Sequence, residues 1–454
     1  MKISVIGCGY LGAVHAATLA SMGHDVVGVD TDAEKVGHLS RGFAPFYEPG
    51  LEDLLADGRK TGRLVFTTDM DLVADCDVHF LCVGTPQSKT SELADLTYLE
   101  AATRSLAERA RAGSAVVGKS TVPVGTVHRV REWLAQADVE LAWNPEFLRQ
   151  GTAVKDSLIP DRLVYGVDGA EPSAGSAVAA NTIRVLDEVY APLLHAGVPR
   201  IVCNFATAEL IKSAANAYLA TKLSYINAMA ELCDAAGADV TQLSAAMGLD
   251  PRIGQRYLAA GLGFGGGCLP KDIRSFRAQA RELEVDSVDA WMGLVDQINV
   301  NQRGRVAAMA AQLCGGSVAG RRVAVLGAAF KPDTDDIRDS PALDVALQLA
   351  EAGANVVVTD PKAINNAWMR YPQLQFEQSA AEACEGAEVV LLLTEWAEYR
   401  GLNPFELAET VARPIMVDAR NVLDREAWAA AGWTMLGLGT GDVAPAARET
   451  TTAP

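Results

Sequence analysis

The chain has 454 residues, of which 49% are hydrophobic and 21% charged, with a formal net charge of -18. That length exceeds one ordinary core and predicts two or three domains, and the composition is that of a folded globular protein rather than a disordered or fibrous one. The acidic balance, with no run of Lys and Arg able to track a phosphate backbone, excludes nucleic acid as an expected partner. No apolar run approaches bilayer-spanning length, the longest strongly apolar stretch being Val389 to Leu393, so no membrane association is expected. Strand-like sequence begins at Lys2 and leaves no room for a signal peptide, which points to the cytoplasm. The eight cysteines include no Cys-x-x-Cys pair and no Cys/His cluster at zinc spacing, which predicts reduced thiols and no metal site.

In chain order, β-branched apolar runs alternate with helical patterns at Ile3 to Ile6, Val26 to Val29, Val78 to Val83, Ala115 to Gly118 and Leu141 to Trp143. Such alternation predicts a parallel, doubly wound sheet. Between about 200 and 312 long helical patterns take over without a strand signal, the clearest running from Ala206 past Leu232. A second strand series follows at Arg322 to Leu326, Asn355 to Thr359, Glu388 to Leu393, Ile415 to Asp418 and near Met435. The expected fold is α/β: two Rossmann-like doubly wound domains (1–200 and 313–440) joined by a central helical domain (201–312). Residues 441–454 lack periodicity and are expected to form a flexible tail.

The first strand runs into Gly7-Cys8-Gly9-Tyr10-Leu11-Gly12, a G-x-G-x-x-G at a strand-to-helix turn. Gly7 permits the turn, Gly9 lets a pyrophosphate approach the backbone, and Gly12 allows close helix-sheet packing, with the helix N-terminus holding the phosphate charge. The next strand ends in Asp30, whose carboxylate suits a ribose 2′-OH and would repel a 2′-phosphate, so NAD is the expected cofactor rather than NADP. Lys35 either touches the adenosine end or is a solvated helix charge. The second α/β half opens the same way and places Asp360 where the first has Asp30, but lacks the full glycine fingerprint.

Residues 261–267 contain five glycines and lead into Cys268-Leu269-Pro270-Lys271-Asp272. So many glycines are expected where a backbone closely approaches a ligand. Pro270 suits the first turn of a helix, which puts Cys268 at a helix N-terminus, a position that favours a thiolate; the other seven cysteines are expected to be inert. A nucleophilic thiol beside a dinucleotide site suggests capture of an aldehyde as a thiohemiacetal, oxidation to a thioester, and hydrolysis to an acid.

These residues, together with Tyr47-Glu48-Pro49-Gly50-Leu51, Val83-Gly84-Thr85-Pro86, Lys119 through Thr126, Asn144-Pro145-Glu146-Phe147-Leu148, the Lys212 to Leu223 helix and Phe330 through Arg338, occur in a familiar order. From Met1 to about residue 440 the chain resembles the nucleotide-sugar 6-dehydrogenases of the UDP-glucose/GDP-mannose dehydrogenase family. The resemblance implies four-electron oxidation of a sugar C6 alcohol with two NAD per substrate, and a homodimer formed through the central helices.

It further implies Cys268 as nucleophile, Lys212 and Asn216 as stabilisers of oxyanions at C6, Asp272 in base chemistry, and Glu146 and Thr121 in positioning water and substrate. Substrate contacts are implied along Glu146, Phe147, Leu148, Arg149 and Gln150, and along Tyr257, Leu258, Ala259, Ala260 and Gly261. Gly265, Lys331 and Arg420 are further substrate contacts, and Arg252 matches an Arg that reaches a neighbouring subunit's site. Tyr10 and Leu11 of the glycine turn, Asp30, Lys35, Thr85, Thr121, Gln150, Lys271 and Arg338 match the cofactor side.

Two residues depart from the family pattern: Gln150 stands where many relatives have Glu, and Gly267 where Ser is common. The motif around Phe330 to Arg338 favours UDP-glucose, oxidised to UDP-glucuronate, as substrate. GDP-mannose or a UDP-N-acetyl-aminosugar are the alternatives within the family. A catalytically inactive NAD-binding regulatory protein is the alternative of another class.

Overall fold

The computed structural model describes residues 1–88, 92–169 and 177–443. Its residues divide into two compact units, Met1–Asn216 with Arg274–Asp286, and Ala217–Ile273 with Ser287–Pro454.

The first unit is built on strands β1 (Lys2–Ile6), β2 (Asp25–Val29), β3 (Leu64–Thr67), β4 (Val78–Leu81), β5 (Ala115–Gly118), β6 (Glu140–Trp143), β7 (Leu163–Val167) and β8 (Arg200–Cys203). They form one sheet in the order β3-β2-β1-β4-β5-β6-β7-β8. The reversal of order beside β1 is the switch point at which doubly wound sheets bind ligands. Central strands are buried on both faces, Ile3, Val5, Val78 and Phe80 on one and Ile6 and Leu81 on the other, which explains their continuous apolar runs.

The sheet differs from expectation in three strands, β3, β7 and β8, which lie outside the expected series. β7 runs antiparallel to β6, so the sheet is mixed. β8 occupies residues 200–203, where the sequence reads as the start of the helical region. It is an edge strand whose apolar Ile201 is exposed.

The second unit carries β9 (Arg322–Leu326), β10 (Asn355–Thr359), β11 (Gln375–Phe376), β12 (Val389–Leu392), β13 (Ile415–Asp418), β14 (Thr434–Gly437) and β15 (Asp442–Val443). Their order is β11-β10-β9-β12-β13-β14-β15, parallel except for the last pair. Val323, Val325, Val390, Leu392 and Met416 fill its core. Within the expected tail at 441–454, Asp442 and Val443 instead pair with β14, while residues 444–454 lie outside the described residues.

Two long helices, Phe205–Ala236 and Asp286–Leu313, account for the central helical pattern. Within the second unit, Ser224 Oγ donates to the Val295 carbonyl at 2.7 Å and Gln302 Nε2 to Glu231 Oε1 at 2.9 Å, pinning one helix to the other. Among the described residues no helix is long and apolar enough to cross a membrane.

Candidate active site

The glycine turn has the geometry its sequence requires. Gly7 has φ +91°, a β-carbon on Gly12 would sit 1.8 Å from the Gly7 carbonyl oxygen, and one on Gly9 would meet nothing within 4 Å. The helix Tyr10–Ser21 follows directly, with Gly9 as its N-cap and no side chain capping it, so this N-terminus suits a pyrophosphate. Asp30 accepts from the Cys8 amide at 2.8 Å and is bridged by Lys35 Nζ at 3.1 and 3.0 Å. Lys35 is thus an ion-pair partner of Asp30 rather than a solvated charge.

The second unit has sealed the equivalent place. The Asp360 carboxylate is 2% exposed and accepts from the Ala328, Ala329, Lys362 and Ala363 amides and from Trp396 Nε1. Its turn, Gly327-Ala328-Ala329, also sets a β-carbon where the first turn has Gly9. The residues of the first turn fit a dinucleotide and those of the second do not.

Glu48 lies in the Tyr47 to Leu51 motif, where residue type alone assigns it no role. Its buried carboxylate accepts from the Gly151 amide at 2.6 Å, from the Ala153 amide at 2.7 Å and from the Tyr10 hydroxyl. Glu48 thereby ties the helix behind the glycine turn to the end of the Glu146 to Gln150 loop. The Arg149 side chain is bound to Asp156 through Nε at 2.9 Å and Nη2 at 2.6 Å, and fixes the other side of that loop.

Within the loop, Glu146 Oε1 accepts from the Phe147 and Leu148 amides at 2.7 and 3.1 Å, while Oε2 lies 2.9 Å from the buried Lys119 Nζ. Burial opposes ionisation of Glu146, but Lys119, these amide bonds and the charge of Lys212 together hold its carboxyl below the ordinary range. Lys212 Nζ lies 5.5 Å from the centre of the Phe147 ring, and Arg162 covers the same ring at 3.9 Å. Asn216 is buried one helical turn beyond Lys212. Thr85 donates from Oγ1 to the Thr121 carbonyl at 2.7 Å, so these two residues, both expected on the cofactor side, meet in the loops that follow β4 and β5.

In the second unit the glycine-rich segment is explained by the protein itself. A β-carbon on Gly265 would lie 2.2 Å from the Asp339 carbonyl oxygen, and one on Gly267 would lie 2.2 Å from Arg338 Cζ. Asn299 holds the backbone of Phe264 from both sides, accepting its amide at 2.7 Å and donating to its carbonyl at 3.0 Å. Asn227 accepts from the Gly261 amide at 2.9 Å, and Arg420 Nη1 donates to the Gly263 carbonyl at 3.2 Å. Tyr257, at the start of this segment, has φ 64°, a strained conformation for a non-glycine residue; Leu258 and Ala260 are buried and Ala259 is exposed. The sequence alone attributes the glycines to ligand approach, whereas these close contacts lie within the chain.

Cys268 is exposed immediately before the helix Leu269–Glu282, as Pro270 predicts, and its carbonyl accepts the Asp272 amide at 2.8 Å. Asp272 is buried and ion-paired with Lys271 at 3.0 Å. The Arg338 guanidinium is held in its charged form by its hydrogen bond to Asp336 and by the charges of Asp336 and Cys268. Lys331 Nζ lies 5.6 Å from the Phe330 ring centre. Arg252 is exposed and bound to Asp250 at 2.6 Å. The buried cysteines present the opposite chemistry: burial pushes the Cys76 thiol up to about 11 and those of Cys82 and Cys384 up to about 12. Among the described residues no cluster of metal-binding side chains occurs.

Residues 1–194 match the NAD binding domain of the UDP-glucose/GDP-mannose dehydrogenase family, residues 206–301 its central domain and residues 324–425 its UDP binding domain. The chain is 41% identical to a UDP-glucose 6-dehydrogenase of Rhizobium meliloti, over 97% of this chain and 100% of that protein. It is 37% identical to one of Rickettsia typhi, again over 97% and 100%. The solved UDP-glucose dehydrogenase of Pyrobaculum islandicum shares 36% identity with a TM-score of 0.86, covering 97% of this chain and 98% of that one. The chain belongs to the UDP-glucose/GDP-mannose dehydrogenase family of NAD-dependent oxidoreductases, matching its NAD binding, central and UDP binding domains.

Proposed function

We propose that the chain oxidises the C6 alcohol of UDP-glucose to the carboxylate of UDP-glucuronate. The observation that carries this reading is the exposed thiol of Cys268 at a helix N-terminus, with Asp272 one turn on and the Arg338 cation beside it. An alcohol dehydrogenase has no need of such a thiol.

The first oxidation removes a hydride from C6 and a proton from its hydroxyl, giving an aldehyde. The Cys268 sulfur adds to that carbonyl to form a thiohemiacetal. A second hydride leaves C6, with the thiohemiacetal hydroxyl proton lost alongside it, to give a thioester, and water displaces the sulfur as the free thiol to give the acid. NAD, when bound, accepts one hydride in each oxidation. Lys212 and Asn216 stabilise the oxyanions at C6, Asp272 takes part in proton transfer, and Glu146 and Thr121 orient water and sugar.

The substrate contacts belong to Glu146 through Gln150, Tyr257 through Gly261, Gly265, Lys331 and Arg420. Gly7 through Gly12, Asp30, Lys35, Thr85, Lys271 and Arg338 belong to the cofactor side. Three domains at 1–200, 201–312 and 313–440 and a cytoplasmic location complete the reading. A homodimer through the central helices is supported by exposed Tyr218, Tyr225 and Leu232, spaced two helical turns apart on one helix, and by exposed Trp291 and Leu294 on the other.

The deciding experiment measures NADH released per UDP-glucose consumed, alongside GDP-mannose and UDP-N-acetylmannosamine. Two NADH per UDP-glucose, with acid formation lost in Cys268→Ser, is expected. One NADH per sugar, or undiminished acid formation by Cys268→Ser, overturns the mechanism.

A further inference from the structure

Lys119 has no place in the reaction as outlined above, yet it is one of the most deeply buried cations of the first unit, its side chain 4% exposed. It follows β5 and uses its three donors inside the protein: Glu146 Oε2 at 2.9 Å, Asn144 Oδ1 at 3.0 Å and the Tyr190 hydroxyl at 3.4 Å. Tyr190 in turn donates to Asn144 Oδ1 at 2.7 Å, and the Asn144 amide group donates to the Val164 carbonyl at 2.9 Å. Each acceptor of the ammonium is thus either fixed by a further bond or ionised. With no donor left over, Lys119 has nothing to offer a substrate directly.

Its effect passes through Glu146. That carboxylate is held from beneath by Lys119 and along its loop by the Phe147 and Leu148 amides, and it faces the charge of Lys212 from the Phe205–Ala236 helix. We propose that Lys119 is a positioning residue, a buried counter-cation that keeps Glu146 ionised and fixed in front of Lys212, and that without it Glu146 takes up a proton and loses its place.

Once Lys119 is removed, the neighbouring groups leave Glu146 as the one expected to respond near neutrality. Cys82 at the end of β4 and Tyr190 face Lys119, and burial pushes each up to about 12. His15, from the helix Tyr10–Ser21, faces Lys119, and burial keeps it neutral. Arg162 lies on the Phe147 ring.

The idea rests on Glu146 serving the proposed oxidation, so its test has one arm that needs no activity. Melting temperature is measured from about pH 8 to about pH 5.5 for the wild type, Lys119→Met, Glu146→Gln and the double variant. In Lys119→Met the stranded carboxylate has a raised pKa, so its penalty is full at pH 8 and is relieved as acid protonates it. The gap from the wild type should shrink on acidification, and in the Glu146→Gln background it should stay constant. A gap that is independent of pH, or one whose pH dependence survives Glu146→Gln, overturns the proposal. If Lys119→Met alone does not fold, the double variant should, and its failure also counts against the idea.

In the activity arm, Lys119→Met should move the acid limb of kcat for UDP-glucose oxidation upward by about one pH unit or more, while Lys119→Arg keeps the wild-type profile. A Lys119→Met profile parallel to the wild type overturns the proposal. Absence of any wild-type NADH signal refutes the substrate reading instead, and leaves the melting comparison to judge Lys119.

Discussion

The Arg338 guanidinium lies against the backbone of Gly267, where a β-carbon would come within 2.2 Å of its Cζ, and its charge acts on the adjacent Cys268. The obstructing group is the end of a flexible side chain, so a larger residue at 267 displaces the cation rather than the backbone. Gly267→Ser should therefore change stability by no more than about 1 kcal/mol. It should nevertheless slow iodoacetamide alkylation of Cys268 severalfold at neutral pH, as should Arg338→Gln, because a cation beside a thiol favours the reactive thiolate. Alkylation of the cofactor-free protein followed by mass spectrometry measures this apart from any effect on NAD.

Asp30 and Asp360 stand at equivalent points of the two sheets but should respond oppositely to mutation. Asp30→Ala removes the acceptor for a ribose hydroxyl and should raise the KM for NAD by about tenfold or more, consistent with about 1.5–3 kcal/mol for a hydrogen bond to a charged group. Asp360→Ala leaves buried amides of Ala328 and Ala329 without their acceptor, and should lower the melting temperature while the KM for NAD stays within about twofold. Steady-state kinetics and thermal melts on both variants check the contrast.

Glu48 should be felt first in local exchange. Glu48→Ala strands the Gly151 and Ala153 amides, at a cost on the order of 2–3 kcal/mol, and frees Tyr10 from the end of the 146–150 loop. Hydrogen exchange of residues 150–154 should accelerate by at least about tenfold, while exchange in β1 stays unchanged.

Acid should weaken the first unit before its carboxylates titrate. Burial lowers the pKa of His15, His24 and His79, the last to about 4, where Ser4 Oγ lies 2.8 Å from its Nδ1. The unfolded chain binds these protons near the ordinary histidine value and the folded chain does not, so stability is full above about pH 6.5 and declines as pH falls toward 4. Thermal melts across that window should show the decline, and His79→Asn should flatten it.

Much of this was legible in the sequence where one residue type has one physical use. The glycine turn, Asp30, and the helix start that Pro270 marks after Cys268 all follow from backbone sterics and capping, and the structure has each of these features. The strands outside the expected series, β3, β7 and β8 among them, are short and lie where apolar residues are also compatible with helix or loop. β8 is half-exposed, and β7 carries Gly166, where a β-carbon would strike Ala208. The partners of a site residue were harder still. Lys119 and Glu48 look like surface charges from composition, and only distant chain segments such as Asn144, Tyr190, Gly151 and Ala153 make them buried anchors. The five glycines before Cys268 show the converse, a pattern that signals a close approach without saying to what.

Asp360 has a consequence for stoichiometry. With its carboxylate filled by the protein's own amides and the Trp396 indole, the second sheet cannot hold a dinucleotide, so each chain should titrate with one NAD. A four-electron oxidation on such a chain must release one reduced cofactor and admit a fresh one midway. Something has to keep the half-oxidised sugar from departing during that exchange, and a covalent bond to sulfur is a tether that does not depend on the cofactor being present.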